Sequence, residues 1–97
     1  MMFLKSFEMF VNEGISTLLK NKDTKIKKYI NKFNYNIGDK IRVNILNTDR
    51  YIDCDIILLP YWNDDEDWTE MVVKYRNKLI EIHWYVVDKK WKTNFNI

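Results

Sequence analysis

Cysteine, histidine and arginine are scarce in this chain of 97 residues, and each scarcity closes off a class of protein. Cys54 is the only cysteine, so no intramolecular disulfide can form and a small secreted scaffold stapled by such bridges is not expected. His83 is the only histidine, which leaves no ordinary zinc ligand set and no Ser/His/Asp or Cys/His constellation for nucleophilic catalysis. Arginine stands only at positions 42, 50 and 76, so the bidentate contacts it makes to phosphate and guanine are few. Long apolar runs are also missing. Lys5, Ser6 and Glu8 interrupt the N-terminal phenylalanines, no basic n-region precedes them, and no later stretch is long enough to span a bilayer. A cytoplasmic protein without catalytic activity, cofactor or metal is the expectation these absences set.

What is present is the composition of a globular chain: 46% hydrophobic residues against 31% charged is too apolar for a disordered segment and enough for one core. The net charge of +2 conceals a sorted distribution. From Asp49 to Glu70 eight acids stand against Arg50, a net −7, whereas Lys20 to Arg42 carries +6 and Lys74 to Lys92 carries +4. Charge sorted in blocks presents oriented fields, which bear on partner choice and encounter rate more than on fold.

Apolar residues at Leu4, Phe7, Val11, Ile15 and Leu18 recur every three or four positions and predict a helix within residues 2–20. Asp23 is suited to cap a second helix in which Ile26, Tyr29, Ile30 and Phe33 share a face and lysines cover the rest. After Gly38 the period becomes two. Ile41, Val43 and Ile45 alternate with polar residues, as do Ile52, Cys54, Ile56 and Leu58, then Met71, Val73 and Tyr75, then Ile80, Ile82, Trp84 and Val86, with a short last strand at Trp91, Thr93 and Phe95. Turn signals at Asn47 to Asp49, Pro60 to Asp67, Asn77-Lys78 and Asp88 to Lys90 leave connections short enough for an antiparallel meander. The expectation is a single α+β domain over residues 1–97, with a helical segment over 1–33 packed on a four- to five-stranded antiparallel sheet over 38–97. Ile37-Gly38-Asp39-Lys40-Ile41 resembles the opening of small SH3-like barrels, so closure into such a barrel is the alternative to an open sheet.

Two surfaces emerge as candidate binding sites. Trp62, Asp64, Asp65, Glu66, Asp67 and Trp68 place four consecutive acids between tryptophans, a combination suited to a basic protein surface, with the indoles as anchors and the acids supplying steering and charge pairing. The bland alternative is a solvated hairpin loop. Calcium is disfavoured, because the alternating acids and central glycine of an EF-hand loop are missing. The second surface is basic: Lys25, Lys28, Lys32, Arg42, Lys89, Lys90 and Lys92, with Trp91 interleaved, suit nucleic acid. Here the bland alternatives are a solvated helix face and a core tryptophan, because alternation turns Trp91 inward. His83 falls on the polar face of its strand beside Glu81 and Tyr85.

Met2-Phe3-Leu4-Lys5-Ser6-Phe7-Glu8-Met9-Phe10-Val11-Asn12-Glu13-Gly14 resembles the amphipathic leader of small proteins from large tailed bacteriophages. In T-even-type phages such leaders target the capsid and are cut after an aliphatic-x-Glu site. The resemblance implies Val11-Asn12-Glu13 as that site and a cut before Gly14, with Val11 standing where Leu or Ile is usual. It thus implies a phage-encoded protein acting in the bacterial cytoplasm, or packaged in the virion. The leading functional expectation is a non-enzymatic inhibitor of the anti-defence or immunity type, whose acidic-aromatic loop occludes a basic surface of a nuclease, defence effector or toxin. A nucleic-acid-binding module using the lysine-rich surface and a packaged virion protein are the alternatives, and pairing of an exposed strand edge into a homodimer is compatible with any of them.

Overall fold

The computed structural model describes residues 25–95. Five strands, β1 (Lys40–Ile45), β2 (Tyr51–Asn63), β3 (Trp68–Tyr75), β4 (Lys78–Tyr85) and β5 (Lys90–Thr93), follow one another around a closed barrel. Sequential neighbours pair antiparallel, and the barrel closes through a short parallel contact in which Asn44 faces Lys92 and Ile45 faces Thr93. The Leu46 amide donates to the Thr93 carbonyl at 2.8 Å and extends that seam. Alternation sends Val43, Ile45, Ile52, Cys54, Ile56, Met71, Val73, Ile80, Ile82 and Trp91 into one buried cluster that fills the interior.

The turns that set this register have local causes. Arg76 and Asn77 both take positive φ between the paired Tyr75 and Lys78, the two-residue hairpin whose twist matches that of its strands. Between β1 and β2, Thr48 Oγ1 donates to the Ile45 carbonyl at 2.7 Å and accepts from the Arg50 amide at 3.0 Å, while Asn44 Nδ2 donates to the carbonyls of Thr48 and Arg50. At Gly38 the backbone takes φ +93°, which a residue with a Cβ rarely adopts. The Gly38 amide donates to Ile56 O at 2.9 Å and steers the chain into β1.

Two expectations are corrected. Over the described residues the α+β architecture gives way to a closed barrel of five strands with no helical element. Where a second helix was expected, Tyr29 forms an antiparallel bridge with Tyr61, the Ile30 amide donates to Pro60 O at 2.7 Å, and the Trp62 amide donates to Lys28 O at 2.9 Å. The physical reason lies in β2. Its first half is covered by β1 as far as Asp55 and by Gly38 and Asp39 at Ile56, so only beyond Ile56 does its outer edge lack β1, and residues 28–30 bond it at Pro60 and Trp62. A tertiary hydrogen-bonding demand thus overrides a helical periodicity worth only tenths of a kcal/mol per residue. The first expected helix within residues 2–20, the Asp23 cap and the leader at Met2 to Gly14 lie outside the described residues.

The second correction concerns Pro60, expected to open a turn. β2 instead runs through it to Asn63, with register shifts between Ile56 and Leu58 and between Leu58 and Tyr61. Proline has no amide to give a ladder, and it is accommodated at the second irregularity, where it is fully buried.

Cys54 points into the barrel at 1% exposure, and burial, reinforced by Asp53 and Asp55, pushes its thiol up from 9.0 to about 11. The unfolded chain therefore releases this proton at lower pH than the folded one. Stability linked to the neutral thiol is complete below about pH 9 and is lost as pH rises toward about 11. Urea midpoints measured across that interval should fall more steeply for the native protein than for Cys54→Ala, and parallel curves would show that the thiol does not contribute.

Candidate nucleic-acid interface

The ladder between β1 and β5 is limited to Asn44–Ile45 and Lys92–Thr93. Before that ladder the two strands are not paired, and a groove of about 430 Å³ lies beside them. Tyr35, Ile41, Trp84 and Trp91 form its floor, and Arg42, Tyr51, Lys89 and Lys90 form its rim.

The floor is held by aromatic packing. Trp91 Nε1 donates to Tyr35 Oη at 3.1 Å, and the Trp84 and Trp91 rings meet edge-on at 5.4 Å. Phe33 packs against Trp84 at 4.8 Å and Trp91 at 5.5 Å and stacks on Tyr35 at 5.3 Å with the planes 12° apart. Tyr35 is fixed in turn by Asn31, whose Nδ2 donates to the Tyr35 carbonyl at 2.8 Å and whose Oδ1 accepts from the Tyr35 amide at 3.0 Å.

The rim is wet and cationic. Lys90 Nζ donates to Tyr51 Oη at 3.0 Å and stands 5.6 Å from the ring centroid, beyond the hydroxyl edge; that hydrogen bond is the main reason the ammonium is held above its ordinary pKa. Tyr51 is 44% exposed. Arg42 Nε stands 3.5 Å from Asp53, with both side chains mostly in solvent. Lys89 takes φ +52° in the β4–β5 turn.

Of the seven cations expected to meet nucleic acid, Arg42, Lys89 and Lys90 converge here. Lys92 lies one register step along β5, bonded to Asp88 and 5.2 Å above the Tyr85 ring. Lys25, Lys28 and Lys32 do not line the groove: Lys28 offers its carbonyl to Trp62, and Lys32 Nζ lies 5.5 Å above the Phe33 ring. The groove adds Tyr35, Tyr51 and Trp84, which the charge pattern does not single out. Tyr51 could have been found by phase, since it shares the outward alternation of Asp53 and Asp55.

The acidic segment forms the tip of the β2–β3 hairpin. Asn63 Oδ1 accepts from the amides of Asp65 and Glu66 at 3.0 and 3.1 Å, and the Asp67 amide donates to Asn63 O at 2.7 Å. Asp64, Asp65, Glu66 and Asp67 are all exposed. The flanking tryptophans are drawn back. Trp62 is half-buried, and Trp68 lies against the His83 ring at 4.0 Å with its indole N–H buried and without a hydrogen-bond partner among the described residues. The loop therefore offers a partner charge more than it offers aromatic anchors.

A register row runs around the outside of the barrel from Asn44 through Lys92, His83 and Glu70 to Tyr61. Glu70, counted in the sequence as one more acid of the block, is buried at 1% exposure. Tyr61 Oη and Asn63 Nδ2 donate to its Oε1 at 2.8 and 3.0 Å, and His83 Nε2 lies 3.2 Å from its Oε2. Burial, with Glu70 adding to it, raises the Tyr61 hydroxyl far above its ordinary pKa and keeps it a donor. These bonds tie β2, β3 and β4 together, which is a structural task.

Among the described residues no three of His, Cys, Asp and Glu gather where a metal ion could be held, and no helix is long and apolar enough to cross a membrane. No family model, no curated protein and no solved structure matches the chain. Its functional reading rests on its own residues.

Proposed function

We propose that the protein binds single-stranded nucleic acid through the groove between β1 and the β4–β5 hairpin. The observation that carries this reading is the convergence of aromatic side chains and three cations on one concave surface. Unstacked bases gain about 1–3 kcal/mol each on aromatic faces, and phosphates gain from the neighbouring cations. Trp91 is buried, so Tyr51, Tyr35 and Trp84 are the rings within reach of a base. A duplex hides its base faces and gains little from such a floor. With Arg42 the sole guanidinium present, recognition leans on stacking and charge and tolerates sequence variation.

Binding of a labelled single-stranded oligonucleotide should weaken linearly with log salt, with a slope of about −2 if three cations each contribute roughly 0.7. Tyr51→Ala with Lys90→Ala removes an exposed ring and its ammonium without opening the core, and affinity should fall about tenfold or more. Equal binding by the native protein and this variant would overturn the reading.

A further inference from the structure

The groove is short, and the cations flanking it are paired with carboxylates. Its volume of about 430 Å³ lies in an open depression and suits one small group laid against its floor more than a run of bases. On the β1–β2 side, Asp53 stands 3.5 Å from Arg42, and Asp55 accepts from Lys40 at 2.7 Å. On the hairpin side Asp88 pairs with Lys92, and Asp49 is close enough to Lys90 to be felt electrostatically. A phosphodiester backbone continuing past the groove would meet these ion pairs and not the continuous basic channel of the usual single-strand track. Within the groove, by contrast, Arg42, Lys89 and Lys90 offer three positive charges beside one stacking surface.

We infer that the groove seats one nucleotide unit bearing a phosphate monoester, with the base against Tyr51 and Trp84 and the phosphate at Arg42, Lys89 and Lys90. This rests on the nucleic-acid reading of the same groove and narrows it to a phosphorylated strand end or a free mononucleotide. A monoester carries about −1.5 to −2 charges at neutral pH, more than the −1 of an internal diester, and three clustered cations discriminate in its favour. The monoester also ends the chain on its own side, so no further phosphate there is left facing cations already paired with carboxylates.

The test is a binding series read by quenching of tryptophan fluorescence and by competition. The probes are a short oligothymidylate phosphorylated at its 5′ end, at its 3′ end or at neither, a longer unphosphorylated strand, thymidine monophosphate, thymidine and inorganic phosphate. Removal of the terminal phosphate should lower affinity about tenfold, and Lys89→Ala with Lys90→Ala should abolish the difference between phosphorylated and unphosphorylated strands. Preference for one phosphorylated end supports the inference and identifies a strand terminus as the source. Thymidine monophosphate binding as tightly as any strand supports it with the free nucleotide as the source. Affinity that ignores the terminal phosphate and climbs with strand length overturns it while leaving the nucleic-acid reading standing. Inorganic phosphate competing as well as the nucleotide overturns it, since the aromatic floor would then contribute nothing. No binding by any probe overturns both.

Discussion

Glu70→Ala is expected to unfold at a much lower denaturant concentration than the native protein, with a loss of about 3 kcal/mol. The side chain is an acceptor for Tyr61 Oη and Asn63 Nδ2 and stands against His83 Nε2, so truncation strips three groups on two neighbouring strands at once. Tyr61 is 2% exposed, so bulk water does not reach its hydroxyl in the native packing. An unsatisfied buried polar group costs about 1–3 kcal/mol, and the cavity left by the carboxylate adds to this. Glu70→Gln separates the acceptor role from the charge. The amide keeps the shape, accepts from Tyr61 and Asn63 through its oxygen and turns its nitrogen toward His83, so a loss of about 1 kcal/mol is expected. Urea melts of the two variants with unchanged slope decide the matter: losses of the same size would locate the effect in the charge, and a loss below about 1 kcal/mol for Glu70→Ala would remove the row from the list of what holds the barrel together.

The fate of Glu70 shows where sequence and structure part. Its neighbours Met71 and Val73 reveal a strand by their alternation, and that alternation places Glu70 outward, which for a flat open sheet means solvent. Burial of Glu70 follows from the side chains it meets on the outer face, Tyr61, Asn63 and His83, and these are not encoded in a period of two. The misassigned helix has its own cause, the edge of β2 beyond Ile56 that residues 28–30 bond. Around Asn63 the tight hairpin was legible as a polar tip, but the proline signal moved its start too early because a bulge can absorb a missing amide. The groove was half legible. Arg42, Lys89 and Lys90 stand out as cations, but their convergence needs the parallel contact of Asn44 and Ile45 with Lys92 and Thr93, a pairing of strands more than forty residues apart that no local motif announces.

Trp91→Ala should cost about 4 kcal/mol, because a buried tryptophan truncated to a methyl group leaves a cavity that a closed barrel cannot collapse to fill. Trp91 is 4% exposed, and its ring is shared by Trp84, Phe33 and, through Nε1, Tyr35, so it joins β4, β5 and the segment that precedes β1. Loss of that joint should also show locally. The Tyr35 amide, bonded to Asn31 Oδ1, should exchange its hydrogen faster in the variant than its global stability alone explains. Trp91→Phe keeps an aromatic ring in the floor, surrenders the hydrogen bond to Tyr35 Oη and part of the volume, and should cost about 1–2 kcal/mol. Ligand affinity supplies an independent reading of the same pair. Because Trp91 supports the groove from beneath, Trp91→Phe should bind oligonucleotide within a fewfold of the native protein, while Trp91→Ala, measured where it remains folded, should lose more than tenfold as Trp84 and Tyr35 shift into the space left behind. Equal stability of the two variants would mean that the floor is not continuous with the core. Equal affinity would mean that the rim alone, Tyr51 with its three cations, makes the binding surface.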